Sequence, residues 1–236
     1  MTRLLILAIG LASCLQSQTP AFLKGETLIY TAGFSLFSAG KTIMEVAGRD
    51  TTDPDMALHI TSRTETAPFF DHIYRIRDRV DLWLDQSTLE LRRMERDIQE
   101  GRFERKDTTT VDRQAGLIFT RKDTLIIEGP VFDPVGAVYY LRTLPLAIGD
   151  EIYLSIFNGK QLRKVAIAVS GKEVVKVPMG EFECLVLKPM PLDRRRLTKV
   201  DGLMHLWLAT NERRTPVRLE QTTSFGTMVL RLLEVR

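Results

Sequence analysis

Asp78 is the residue whose position suggests chemistry most directly. The segment Ile73–Asp85 alternates between mainly apolar and mainly charged residues, which predicts a strand with one buried and one solvated face. Asp78 falls on the apolar face, with His72 six residues earlier on the same side. A buried carboxylate is costly unless it is paired or hydrogen-bonded. We therefore expect either a polar or acid/base group inside a cavity, or a structural tie to a neighbouring strand or helix, for example through Arg142.

Several aromatic residues are candidates for the walls of an apolar cavity. Phe69 and Phe70 are adjacent in a predicted loop, where one of them could cover the open end of a sheet. Tyr139 lies in a predicted helix and Trp207 in a predicted strand, and for both the alternative is ordinary core packing. The predicted ligand pocket comprises Asp78, His72, Phe69, Phe70, Tyr139 and Trp207.

No known catalytic motif accompanies these residues. The sequence has no GxSxG elbow, HExxH motif, phosphate-binding loop or dinucleotide fingerprint. His59, His72 and His205 are far apart, and none belongs to a close pair of metal ligands. We therefore predict a protein that is not an enzyme and has neither a metal site nor a cofactor.

The first residues, MTRLLILAIGLASC, have the layout of an export signal, with a positive charge at Arg3 followed by an apolar run. That run is too short to cross a bilayer, which takes roughly 20 residues. Its end, LASC, resembles the bacterial lipobox, in which lipid is attached to the cysteine before cleavage on its amino side. We expect a signal peptide at 1–13 and lipidation of Cys14. The alternative is cleavage elsewhere, for example near Gln18, with loss of Cys14.

Lipidation would attach the protein to a membrane through several acyl chains. Leu15 after the cysteine resembles the sorting pattern for the outer membrane, so we expect an exported lipoprotein of the cell envelope, facing the periplasm from that membrane. Residues 14–24 then form a tether, and 25–236 form a single β-rich domain.

Composition agrees with one globular domain, because 44% of the residues are hydrophobic and 27% are charged. The net charge is +3, with both signs mixed along the chain, which argues against a nucleic-acid partner. If Cys14 carries lipid, Cys184 is the only remaining cysteine, and its apolar setting predicts a buried thiol without a disulfide.

Turn signals divide the domain into short strands, beginning with a predicted hairpin turn at Ser38–Gly40. The segment Leu91–Asp112 is polar on both faces, which predicts a sheet edge or a sheet that extends past its core. Asp133 and Pro134 predict the start of one amphipathic helix, at about 133–144. The predicted fold is mainly β, an antiparallel and strongly curved sheet or half-barrel with this helix.

Five segments, in this order and spacing, resemble the bacterial family catalogued as domain of unknown function 3108: GETLIY, FFDHIYRIRDRVDLWLD, DPVGAVYYLRTLPLAIGD, GEFECLVLKP and LWLATNERRTPVRLE. The resemblance implies an exported, envelope-associated, β-rich protein and assigns no activity. A looser fold-level similarity is to the half-barrels of periplasmic lipoprotein carriers.

Two hypotheses for function follow. The first is a non-enzymatic module that holds a lipid or other apolar ligand in the concavity of the sheet. The second is a structural or assembly lipoprotein whose polar strands Leu91–Asp112 dock an envelope protein at the membrane surface, where Arg194–Arg196 could also touch anionic head groups. An apolar cavity above roughly 300 Å³ beneath the helix would favour the first, and a filled core with an exposed sheet edge would favour the second.

Overall fold

The computed structural model describes residues 21–34, 37–49, 57–190, 204–223 and 226–236. The predicted signal peptide, Cys14 and Arg194–Arg196 lie outside them. The first half contains β1 (Thr27–Phe34), β2 (Phe37–Arg49), β3 (Leu58–Thr66), α1 (Pro68–Asp71), β4 (Arg77–Leu84), β5 (Leu91–Glu100), β6 (Phe103–Asp112), β7 (Leu117–Phe119) and β8 (Thr124–Ile126). The second contains β9 (Val131–Phe132), α2 (Pro134–Thr143), β10 (Glu151–Phe157), β11 (Leu162–Val177), β12 (Gly180–Met190), β13 (Met204–Ala209), β14 (Pro216–Thr223) and β15 (Gly226–Val235).

The described strands form one open sheet in the order β8-β7-β6-β5-β4-β3-β2-β1-β15-β14-β13-β12-β11-β10-β9. β1 lies in the middle of the sheet, the following strands are added outward to β8, and the chain then crosses to β9 at the other edge and returns until β15 pairs with β1. Neighbours are antiparallel except β9 and β10. This confirms the predicted fold class.

The sheet is curved enough for distant strands to meet. Arg96 on β5 donates to the carbonyl oxygens of Asn158 (2.7 Å) and Gly159 (2.9 Å), which lie in the turn between β10 and β11. Register shifts along β2 and β11 mark bulges, which increase the local twist.

The predicted turn at Ser38–Gly40 is wrong. β1 and β2 pair as far as Phe34 and Phe37, and the small residues lie inside β2, where the register shifts. Gly40 is required there, because a Cβ atom would lie 2.1 Å from the carbonyl oxygen of Glu65 on β3. The small residues therefore signal a bulge and a close strand approach rather than a turn.

The predicted helix is confirmed as α2. Asp133 caps it, accepting hydrogen bonds from the backbone N–H groups of Gly136 (2.7 Å) and Val135 (2.9 Å). Burial raises the pKa of Asp133 to about 6, although these two bonds oppose the shift. Pro134 occupies the first turn, where its missing N–H costs nothing.

Candidate functional site

The concave face of the sheet is occupied by α2. Ala137, Val138 and Leu141 pack against the core cluster formed with β1, β2 and β10 to β15, whereas Tyr139 belongs to a second cluster formed with β2 to β7. The cavity that remains beneath the helix measures about 40 Å³. Small-molecule sites are typically about 300–1,000 Å³, so the helix fills the space in which a carried ligand would lie.

Tyr139 is part of this filling. Its side chain is fully buried, with the Phe22 ring edge-on at a centroid distance of 5.1 Å. Its hydroxyl has no hydrogen-bond partner among the described residues. Burial raises the pKa of this hydroxyl above its usual value of 10, which disfavours a role in acid/base chemistry. Tyr139 therefore belongs to the core rather than to the wall of an open pocket.

Two buried tyrosines provide a matched test of this packing. Tyr30 donates its hydroxyl to the carbonyl oxygen of Pro216 at 2.9 Å, whereas the Tyr139 hydroxyl has no hydrogen-bond partner in the described part of the chain. We expect Tyr30→Phe to lower the free energy of unfolding by about 1 kcal/mol, and Tyr139→Phe to leave it unchanged or raise it by up to about 1 kcal/mol. Urea unfolding of both variants measures the difference. Equal losses would show that the Tyr139 hydroxyl makes a stabilising hydrogen bond.

Asp78 lies on the predicted face of β4 but has other partners than expected. It is half-buried and accepts a hydrogen bond from the backbone N–H of Gln99 at 3.0 Å. The suggested tie to Arg142 is wrong, because Arg142 pairs with Glu26 instead. Burial raises the pKa of Asp78 to about 7, the Gln99 bond opposes this, and nearby Glu100 adds to it.

This raised pKa predicts a specific pH dependence. The folded protein keeps the Asp78 proton up to about pH 7 while the unfolded chain loses it near its ordinary pKa of 3.8, so stability falls as pH rises between those values. We expect Asp78→Asn to match the native protein near pH 4 and to exceed it above pH 7 by about 1–2 kcal/mol, a figure reduced for solvent screening. Urea unfolding across this pH range measures the effect.

Asp71→Asn is the matched control, because the contribution of Asp71 to stability depends on pH in the opposite direction. Hydrogen bonds from Arg77 and Thr66 hold the pKa of Asp71 below its usual value, so its contribution is present at neutral pH and lost as the pH falls. A stability difference for Asp78→Asn that stays constant with pH would contradict the assignment.

His72, Phe69 and Phe70 do not lie beside Asp78 on the strand. The predicted strand from Ile73 is wrong at its start, because β4 begins at Arg77 and the preceding residues form the short helix α1 and a turn. His72 is exposed at the end of α1, and Phe69 is 75% exposed, with its ring edge-on to Phe70. Pro68 was the available signal, since proline is favoured in a first helical turn.

Trp207 points away from α2. Met204 and Leu206 line the small cavity beneath the helix, so strand alternation places Trp207 on the opposite face. There its indole N–H donates to Glu173 at 2.9 Å, and the Arg218 guanidinium lies 4.8 Å from the ring centroid. The predicted pocket residues are therefore not assembled into one site.

Cys184 is a buried free thiol, as predicted. Burial raises its pKa to about 11, so the thiolate form that reacts with oxidants and metals is disfavoured.

A different site, absent from the predicted set, lies at the other end of the sheet around β6. On the face opposite α2, an open groove of about 880 Å³ crosses β3 to β7. Asp81 lies in it and is bonded to His59 (3.0 Å) and Arg79 (2.5 and 2.8 Å). Burial alone would raise the pKa of Asp81, but these bonds hold it below its usual range.

The outer edge of β6 is open over most of its length. Its inner side pairs with β5 from Phe103 to Thr110, but β7 pairs only with Thr110–Asp112. Among the described strands, none covers the segment Phe103–Thr109, which we call the open edge. The prediction that Leu91–Asp112 forms a sheet edge thus holds for part of β6 and not for β5, which lies between β4 and β6.

Among the described residues, no group of three or more His, Cys, Asp or Glu side chains is arranged to hold a metal ion. In the same part of the chain, no helix has the length and apolar character needed to span a bilayer.

These features define an open, strongly curved antiparallel β protein whose concavity is filled by its own helix. The chain belongs to the family described as "Protein of unknown function (DUF3108)", which it matches over residues 29–233. No match was found among curated proteins.

One of the solved structures that match this chain shares its fold at low sequence identity. A β-barrel-like protein of domain of unknown function DUF1849 from Brucella abortus is 12% identical, with a TM-score of 0.58 over 91% of this chain and 98% of that one. A DUF1089 family protein from Pseudomonas aeruginosa is 12% identical, with a TM-score of 0.45 over 78% and 91%. At this identity the first likeness shows the fold alone.

Proposed function

We propose that this protein is a non-enzymatic lipoprotein of the cell envelope that docks a protein partner on its exterior. The observation that carries the proposal is the filling of the concavity by α2, which leaves about 40 Å³ beneath the helix. A carrier needs a cavity of several hundred Å³ in the free protein, or a helix that can move out of the concavity to make room for the ligand. Here the helix bridges both core clusters, so its departure would open the whole core.

The accessible features favour docking. The groove across β3 to β7 is lined by charged, hydroxyl and aromatic side chains, and the open edge of β6 adjoins it. An unpaired strand edge is a common site for adding a strand from another protein. Polar side chains such as these are typical of the rim of a protein interface.

Binding of a lipid or other apolar ligand is the second candidate. A wide cavity of about 1,160 Å³ lies at the mouth of the sheet near the N-terminal segment, and its apolar lining includes Phe22, Leu23, Leu89, Phe132 and Tyr140. A ligand there would contact Tyr140 on α2 and the ring of Phe132.

The anchor is the part of the proposal that is simplest to test. We expect radioactive palmitate to label the native protein in its host and Cys14→Ala to remain unlabelled, because the cysteine thiol is the acceptor. Cys184→Ala is the matched control and should label like the native protein, since that thiol is buried. Equal labelling of the native protein and Cys14→Ala would overturn the anchor, and with it the placement in the outer membrane facing the periplasm.

Cross-linking in intact host cells tests the docking function. A photoreactive side chain placed at exposed Thr108 should capture one protein reproducibly, whereas the same group at exposed Lys41, on β2, should not. Capture of lipid or of nothing at Thr108 would contradict docking at this face.

A further inference from the structure

We infer that the open edge of β6 is the docking site, and that its partner is an extended, acidic segment of another protein that adds to the sheet as a strand. This inference rests on the proposed docking function and assigns its location and the chemistry of the partner.

The backbone of the open edge is available for pairing. A two-residue turn pairs Glu100 with Phe103, so the N–H and C=O groups of Phe103 point towards β5. Because these directions alternate along a strand, the N–H and C=O groups of Glu104, Lys106 and Thr108 point away from β5. No backbone bond to the described residues satisfies these groups. The seven residues of the edge span about 23 Å, the length of an ordinary strand.

There is space for a strand on this edge. The groove of about 880 Å³ reaches it from one face of the sheet, and a second cavity of about 530 Å³ reaches it from the other. Both are lined by Lys106, Asp107, Thr120 and Arg121, so the two spaces meet at the edge. Beyond Phe119 the chain turns back into β8, which leaves the rest of β6 uncovered.

The charges select an acidic partner. The second cavity is lined by five basic and three acidic residues, whereas the charged lining of the groove is balanced. Arg105 and Lys106 are already paired with Asp107 and Asp97. In this lining, three exposed cations make no ion pair with the described residues, Arg121, Lys122 and Lys160, against two such anions, Glu104 and Asp123. The unpaired charge of the lining is therefore positive.

The same charges disfavour other strands. Charged side chains on an edge, lysine above all, oppose pairing with uncharged strands. A second copy of this chain, paired symmetrically about the middle of the edge, would place two Lys106 side chains opposite each other, which is destabilising. A segment carrying carboxylates is free of both penalties.

The test uses fluorescent model peptides of seven residues, one alternating Thr with Asp and one alternating Thr with Lys. The mature protein is purified from its host, and binding is followed by fluorescence polarisation. We expect the acidic peptide to bind at least about tenfold more tightly than the basic one, and more weakly as salt is added.

Two variants share a position and differ in the backbone donor. Thr108→Pro removes an outward N–H and should weaken the acidic peptide by about tenfold or more, whereas Thr108→Val keeps the N–H and should bind like the native protein. Because a proline can disturb folding, Arg121→Glu with Lys122→Glu provides a second route and should also weaken binding by about tenfold.

Any of three results would overturn the inference. The acidic and basic peptides could bind equally, or neither could bind saturably up to about 1 mM. Thr108→Pro and Thr108→Val could also bind the acidic peptide with equal affinity. A dimer in sedimentation velocity that Thr108→Pro abolishes would overturn it in favour of a second copy. The proposed function fails separately, if no protein is captured in host cells. If a protein is captured from the host but binds equally to Thr108→Pro and Thr108→Val, the docking function holds and only its assignment to this edge is wrong.

Discussion

Arg142→Met is expected to lower the free energy of unfolding by about 3–5 kcal/mol, because it leaves a buried carboxylate without its partner. The Arg142 side chain is completely buried on α2, and its guanidinium donates to both oxygens of Glu26, at 2.6 and 2.8 Å. It also donates to the carbonyl oxygen of Ala21 at 2.6 Å. Urea unfolding monitored by tryptophan fluorescence measures the loss.

The control removes both charges. In Arg142→Met with Glu26→Leu, no unpaired charge remains, so most of the lost stability should return. The carbonyl oxygen of Ala21 still loses its donor, and we therefore expect hydrogen exchange near Ala21 to increase in both variants. If the double variant were as unstable as Arg142→Met, the ion pair would not be the cause.

Leu141→Ala is expected to cost about 2–5 kcal/mol, because it removes a buried side chain between α2 and the sheet. It should also enlarge the small cavity beneath the helix, which Leu141 helps to line, enough for a small apolar probe such as benzene or xenon to bind where the native protein binds none. Urea unfolding and probe titration measure these two effects.

Thr143→Ala is the matched control, since Thr143 lies on the same helix and is exposed. Its cost should stay within about 0.5 kcal/mol. A cost below about 1 kcal/mol for Leu141→Ala, or saturable probe binding by the native protein, would show that the concavity is not tightly filled.

Both predictions concern α2, because the small size of the cavity beneath this helix, about 40 Å³ among the described residues, is the observation on which the proposed function rests. The helix is held by the Arg142–Glu26 pair and by the packing of Tyr139, whose ring centroid lies 5.3 Å from the Arg142 guanidinium.

Features that depend on neighbouring residues could be predicted from the sequence. The capping of α2 by Asp133 needs only the following turn, and the alternation of β4 places Asp78 on the correct face. The mainly β fold follows from the same periodicity. These signals are local, since cap and alternation are set by residues a few positions apart.

Features that depend on distant strands could not be predicted. Glu26 is 116 residues from Arg142, so nothing in the sequence around the helix identifies it as the partner. The small residues at Ser38–Gly40 suit a turn or a bulge equally well, and only the close approach of β3 decides between them. The open edge exists because β7 is three residues long beside the ten of β6.

Native mass spectrometry of the protein extracted gently from its own host tests the central claim most directly. The account predicts the mature chain with its covalent anchor, alone or in complex with another protein, and without any non-covalent small molecule. A lipid-sized adduct that leaves on collisional activation would contradict it and favour an apolar ligand.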